Sequence, residues 1–406
     1  MIEEISIKGY KSFSEDSFEK GPLKLSPLNV LIGPNASGKT NFLEIFELLS
    51  SAADGHLQDF IINHGGISAI LWAGGTNKFG VEIVYKIKEK IDPRPERSRK
   101  PLRYIVEVER RDIHSVVGLE KLEHSEPYPE FKDKGPFILA DRRGTTFHFY
   151  HPIDHKLKTS EVPVQEGELA IWEMRDMERF PLQARFRDEI FQWKIYRYFH
   201  VDDTSLIRMP QKARSGLILH KHGDNLSPVL HDFFTKIEYS EQFKRIENIL
   251  GRLYPKGFGA LRISSAGGEG DLIINWVESY FKGRTFTAQS LSDGILRFLC
   301  LLAILLHPDP PSLLCIDEPE IGLHPSLMQL LAELLKDTSK RTQLIVATHS
   351  PDLVDYLEPE DVITVERDKK GCSVMTKLST RSDLKVWLDK YRLGELWKMG
   401  ELGARP

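Results

Sequence analysis

The sequence predicts an α/β fold with a mainly parallel core sheet, an inserted antiparallel β region and a helical lobe. Three observations carry this expectation. The apolar run from Leu23 ends in Val30-Leu31-Ile32 and passes directly into a glycine-rich turn and a helical pattern. Short β-type runs crowd the stretch from Phe79 to Tyr150. After Leu291, apolar strands alternate with helical patterns, as in a parallel sheet covered on both faces.

Taken in order, Ile5 and Ile7 mark an opening strand that turns at Gly9-Tyr10, and Pro27 interrupts the second strand. From Asn41 to Ser50, Phe42, Ile45, Phe46 and Leu49 share one helical face. VEIVYKI, YIVEVE and TTFHFY read as strands of the inserted sheet, and DPRPERSRKP reads as an exposed loop. Gly167 to Trp193 reads as mostly helical, and Trp193 to His200 as strand-like. A helix start at Asp224-Asn225-Leu226-Ser227-Pro228 opens an amphipathic run through Leu250. A helix (Ile295 to Leu306), a strand (Leu313 to Ile316), a helix (Ser326 to Lys336) and a strand (Gln343 to Ala347) complete the core pattern. Heptads do not persist, so no long coiled-coil arm is expected.

Composition narrows the class. The chain has 406 residues, 41% of them hydrophobic and 28% charged, which is ordinary for a globular protein. Fifty-five Lys and Arg face fifty-nine Asp and Glu, a formal charge of -4, so no overall basic field advertises nucleic acid. Cys300 and Cys315 lie in apolar runs, and with Cys372 they suggest no disulfide framework, so a reducing, cytoplasmic setting is expected. The longest apolar run, Phe298 to Leu306, is too short to span a membrane, and MIEEISIKGY has no secretory apolar stretch.

Gly33-Pro34-Asn35-Ala36-Ser37-Gly38-Lys39-Thr40 matches the phosphate-binding pattern G-x-x-x-x-G-K-[ST]. Glycines let backbone N–H groups curl toward phosphate oxygens, and the lysine reaches the outer phosphates. The threonine hydroxyl suits Mg²⁺, and the following helix presents its positive end. Leu313 to Ile316 ends in Asp317 and Glu318, whose side chains diverge because a strand alternates. Asp317 suits a water-bridged Mg²⁺, and Glu318 suits polarising an attacking water. Leu291-Ser292-Asp293-Gly294 would alone be an ordinary N-cap, but it stands just ahead of that acidic strand. Ala347-Thr348-His349-Ser350 places a histidine after another apolar strand. His148, His151, His155, His220 and His222 lack zinc-type spacing and read as surface or strand histidines.

Together GPNASGKT, LSDGILRFL, LLCIDEPEIGLHP and ATHSP resemble the ABC-type ATPases of the RecF, SMC and OLD branch. LILHKHGDNLSPVL and LGELWKMGELG resemble the stand-alone, OLD-related AAA-family ATPases of prokaryotes. The resemblance implies ATP and Mg²⁺ as cofactors, an ABC-ATPase head fold and a homodimer that forms on ATP binding. It implies core segments 1–78 and 288–406, an inserted β subdomain at 79–165 and a helical signature lobe at 166–287. By motif position, Lys11 and Ser12 would contact base or ribose. Asn35, Ala36, Ser37, Gly38, Lys39 and Thr40 would hold the phosphates, with Thr40 and Asp317 as the metal residues. Glu318 and His349 would be catalytic, and Ser292, Asp293 and Gly294 would act on the nucleotide of a second copy, with Glu320 to His324 as the D-loop. Asp293 departs from the usual signature glycine, and the Q-loop glutamine is open among Gln58, Gln165, Gln183 and Gln192. Two outputs follow: control of a separately encoded protein effector, as in anti-phage defence, or DNA binding in repair and maintenance.

Overall fold

A computed structural model describes residues 1–403 apart from 19–20, 88–99, 129–132, 134, 161–162, 217, 268–269 and 281–283. Most of the charged segment DPRPERSRKP lies outside the described residues. The chain divides into two compact units. The first comprises Met1–Lys194, Pro311–Cys315 and Thr342–Pro406, and the second comprises Ile195–Pro310 and Ile316–Arg341.

The first unit carries an antiparallel sheet of eight strands. They are β1 (Ile2–Lys8), β2 (Leu23–Lys24), β4 (Lys78–Tyr85), β5 (Leu102–Arg111), β6 (His114–His124), β7 (Ile138–Arg143), β8 (Thr146–His151) and β9 (Lys156–Thr159), arranged β2-β1-β4-β5-β6-β7-β8-β9. The bounds expected from the sequence therefore need correction. The β region is continuous with the N-terminal strand, because β1 pairs with β4 over Ile2–Lys8, and it is no separate insertion beginning at 79. Between β1 and β4 run β3 (Leu28–Ile32), whose five residues are all buried, and the helices α1 (Lys39–Ala52), α2 (Leu57–Asn63) and α3 (Ile67–Ile70).

β3 belongs to a second sheet, where it lies parallel to β16 (Gln343–Ala347) on one side and to β17 (Val362–Arg367) on the other. β18 (Ser373–Lys377) closes that side antiparallel to β17. The buried runs LNVLI and QLIVA are what a parallel sheet covered on both faces requires. Before β10 (Lys194–Tyr196), the stretch expected to be mostly helical holds only a one-turn helix at Ala170–Glu173 and α4 (Pro181–Phe191). The turns Gln165–Leu169 before it carry carbonyls that are instead held by Arg142. Its guanidinium donates to Gln165 O (2.6 Å), to Glu166 O (3.4 Å) and to Glu168 O.

The second unit is not purely helical. β11 (Gln211–Lys212), β13 (Asp271–Glu278) and β12 (Phe258–Ser265) form an antiparallel sheet, with β14 (Thr285–Thr287) also paired to β13. α5 (Leu226–Thr235) and α6 (Ser240–Leu253) pack against it. α7 (Asp293–Leu305) is buried from Phe298 to Leu305 on every side, as its uniformly apolar sequence demands. β15 (Leu313–Asp317) begins in the first unit and ends in the second, where α8 (Met328–Ser339) follows. The last helices, α9 (Pro351–Val354), α10 (Leu384–Leu388) and α11 (Leu393–Met399), belong to the first unit. Among the described residues, no helix is long and apolar enough to cross a membrane.

Candidate nucleotide site

The turn after β3 has the backbone of an anion cradle. Ala36 has φ 61° and Gly38 φ 114°, both in the left-handed region. Only glycine fits at 38, since a Cβ there would stand 2.2 Å from Ser373 Oγ and 2.7 Å from Ser12 Oγ. Lys39 opens α1 almost wholly buried, and its ammonium donates to Gly33 O (2.7 Å) and Pro34 O (3.1 Å). Asn35 and Thr40 face solvent. The buried Ser37 hydroxyl has no hydrogen-bond partner among the described residues. An orphaned buried hydroxyl, a lysine folded onto loop carbonyls and a turn closed to any Cβ all fit a phosphate chain in this loop.

Around this turn the first unit gathers residues that the motif does not name. Asn41 Nδ2 donates to Ser12 Oγ (2.9 Å), and Ser373 Oγ lies 2.7 Å from the same oxygen and 2.5 Å from Ser37 O. Arg367 Nε donates to Ala36 O at 2.7 Å. Lys11, itself at φ 45°, pairs with Glu44, which also accepts from the Tyr10 hydroxyl. Lys11, Ser12, Asn41, Trp72, Arg367 and Lys370 line a cavity of about 540 Å³ in this unit. Among the described residues, three cations and no carboxylate line it. His349 follows β16, where Ala347 is paired with Leu31 and Thr348 N donates to Leu31 O at 3.1 Å. The histidine thus stands at the same carboxyl edge of the parallel sheet as the turn after β3.

The second unit holds the remaining motif residues. Ser292 caps α7, accepting from Ile295 N at 3.4 Å, and is exposed. Gly294 lies against the D-loop segment, since a Cβ on it would meet Gly322 O at 2.7 Å. Asp293 accepts from Arg208 at 2.6 Å. Asp317 ends β15 and Glu318 follows it off the strand, at φ 50°. Tyr198, Arg297, Asp317, Glu318 and Ile321 are among the walls of a cavity of about 20 Å³, room for one water. Thr40 and Asp317, the two expected metal residues, belong to the first and second units respectively. Among the described residues, no group of three or more His, Cys, Asp or Glu side chains is arranged to hold a metal ion. Of the glutamines considered for the Q-loop, Gln58 binds Ser115 and Gly167 O, and Gln183 binds Leu139 O, so both are committed away from the phosphate turn.

Residues 28–355 match the family described as "AAA domain, putative AbiEii toxin, Type IV TA system". The chain belongs to this family. The AAA-domain family member is 26% identical over 149 residues to the "Energy-coupling factor transporter ATP-binding protein EcfA2" of Lactobacillus acidophilus. It is 27% identical over 146 residues to the "Retron Ec83 probable ATPase" of Escherichia coli. These matches cover 35% and 32% of the chain, and the chain spans only 48% and 26% of the relatives' lengths. In fold, the AAA-domain chain is similar to an SMC head bound to the C-terminal winged-helix domain of ScpA. The TM-score is 0.55 at 17% identity, covering 95% of this chain and 99% of that one. An SMC head with an extended coiled coil, bound to the ScpA C-terminal domain from Pyrococcus furiosus, gives 0.53 at 16%, covering 96% and 98%. The motif resemblance is therefore met at the level of family and fold: the chain belongs to the AAA-domain family and has the SMC-head type of fold, as expected of an ABC-type P-loop protein.

Proposed function

We propose that this chain is an ATP-driven dimerisation switch. Lys39, Ser37 and the turn N–H groups would hold the β- and γ-phosphates, and Lys11 and Ser12 the base or ribose end, in the cavity they line. Thr40 and Asp317 would hold Mg²⁺, which when bound neutralises charge on the transferred phosphoryl group. Glu318 would take the proton of a water held in the small cavity beside it, and His349 would steady the γ-phosphate. Ser292 and the first N–H groups of α7 would meet the nucleotide of a second copy. Two such reciprocal contacts make a two-fold interface.

The observation that carries this reading is the orphaned, buried Ser37 hydroxyl inside a turn that already excludes any Cβ at position 38. Glu318→Gln tests it. The variant is expected to bind ATP and accumulate as a dimer with Mg²⁺, while turnover falls by about 100-fold or more, as for loss of a general base. A variant that stays monomeric at micromolar concentration with saturating ATP and Mg²⁺ would refute the switch.

For the output, control of a separately encoded protein effector is favoured by the toxin–antitoxin description of the family. The formal charge of -4 gives no support to DNA as the main ligand. DNA binding of the repair and maintenance kind is the second reading, favoured by the SMC-head fold. Duplex DNA that stimulates ATP turnover at physiological salt would select it, and unchanged turnover would select the effector.

A further inference from the structure

Asp293 stands where the signature pattern has glycine, and its carboxylate points to an arginine far away in sequence. Arg208 ends a one-turn helix, Leu206–Arg208, and is only 3% exposed. A buried guanidinium is costly unless its N–H groups are matched, and here each nitrogen is engaged. Nε donates to Val201 O (2.9 Å) and Asp202 O (3.2 Å). Nη1 donates to Leu291 O (2.6 Å), Ala288 O (3.2 Å) and Gln289 O (3.2 Å). Nη2 donates to Asp293 Oδ1 at 2.6 Å.

The segment so held is a single 3₁₀ turn, Ala288–Ser290, followed by Leu291 and Ser292 in extended conformation. Three of its carbonyls converge on one guanidinium nitrogen, and the first residue of α7 is tied to the next. The orientation of Ser292 and of the α7 N-terminus is therefore set by Arg208.

We propose that Arg208 is the positioning residue of the signature turn. It fixes the backbone from 288 to 293 so that Ser292 and the α7 N–H groups form a preset anion site for the nucleotide of a second copy. Asp293 is the carboxylate that pins the guanidinium in place. Its nitrogens are all engaged by protein oxygens, so Arg208 acts through the turn and does not touch phosphate. A planar fork is needed to reach both sides of this arrangement, which a lysine ammonium does not provide. The proposal rests on the dimerisation reading above.

The test uses the full chain carrying Glu318→Gln, with ATP and Mg²⁺, and reads dimerisation by sedimentation velocity and single-chain ATP affinity by a fluorescent analogue. Adding Arg208→Met is expected to weaken dimerisation by about 30-fold, as for lost hydrogen bonds to a charged group, while ATP affinity of the monomer changes by less than about threefold. Arg208→Lys does not restore the dimer. Arg208→Met with Asp293→Gly does not restore it either, because the carbonyls of 288, 289 and 291 remain unheld. Dimerisation at the parental level in Arg208→Met, or in that double variant, overturns the proposal, the latter because Arg208 would then only offset the Asp293 charge. If Glu318→Gln alone stays monomeric, the switch reading fails by itself. Amide hydrogen exchange then decides on Arg208: positioning requires faster exchange across 289–296 in Arg208→Met and none at 33–40, and unchanged exchange overturns it. Where the methionine variant does not fold, Arg208→Lys serves for both readouts, with the same outcomes.

Discussion

Ser373 is fully buried, and its hydroxyl ties β18 to the phosphate turn, so Ser373→Ala probes how much of the cradle is held from outside the motif. A hydroxyl carries one proton. If Ser373 gives it to the Ser37 carbonyl, it must accept from Ser12, which in turn accepts from Asn41. Removing the hydroxyl breaks this relay in its middle. Ser12 borders the 540 Å³ cavity, where water can replace the lost partner, so the cost falls on the Ser37 carbonyl. An unmatched buried acceptor costs about 1–3 kcal/mol, and about 2 kcal/mol is a reasonable centre. If all of it falls on the binding-ready turn, ATP affinity drops about 30-fold. If all of it falls on the fold, Tm drops by about 2–4 °C. Titration with a fluorescent ATP analogue and a thermal melt together account for it. A variant whose affinity stays within twofold of the parent and whose Tm stays within 1 °C would refute the reasoning. In the double variant with Gly38→Ala, loss of Ser373 Oγ removes the 2.2 Å clash with the new Cβ, but Ser12 Oγ at 2.7 Å and φ at 114° remain, so it is expected to bind no better.

Arg142→Met removes a fully buried guanidinium that holds Gly144 O, Gln165 O, Glu166 O and Glu168 O near the carboxylate of Glu120. A loss of about 3–5 kcal/mol is expected in chemical denaturation, and less than about 1 kcal/mol would contradict a structural role for this pair. Burial, more than anything else around it, raises the Glu120 carboxyl above the usual glutamate value, against the pull of Arg142. A raised folded-state value means stability that is present at low pH and lost as pH rises through that value. Glu120→Gln should therefore gain on the parent in Tm as pH climbs from the ordinary glutamate range, and a constant difference across pH would count against it. Gly294→Ala places a Cβ 2.7 Å from Gly322 O. Monomeric ATP binding should hold while turnover falls by about tenfold or more, and normal turnover would show that the signature turn tolerates displacement from the D-loop.

The motif residues were readable because each depends on its own few neighbours in sequence. The strand LNVLI running into GPNASGKT predicts strand, turn and helix without help from the rest of the chain, and the structure has them at β3 and α1. The residues that hold those motifs in place were not readable. Ser373 meets Ser12 across 361 positions, and Arg208 meets Asp293 across 85. An isolated serine in a β-run, or an arginine two residues ahead of a proline, carries no local sign of such a partner. The β6 strand was missed because HSVVGLEKLEH lacks strict alternation, and its pairing with β5 contains a register shift between Glu107 and Val108. The β12–β13 hairpin lay in a stretch read as helical lobe, although LRISS and DLIINWVE have the residue types of strands. The extent of the large sheet was hidden for a different reason: β1 joins β4 only after the whole of β3 and α1 to α3 has intervened.

The eight-stranded sheet also bears on how this protein avoids sticking to itself. A sheet of that width offers unpaired backbone donors and acceptors at its rims, an invitation to strand-by-strand aggregation. At one rim that invitation is withdrawn by β9, only four residues long, with the sequence KLKT and both Lys156 and Lys158 on the last strand. Lys158 is paired with Asp154, and burying these charged side chains under an approaching copy is costly on so short a ribbon, so no ladder extends. Replacing both lysines with valine would leave the interior of the sheet intact and convert a soluble rim into an adhesive one.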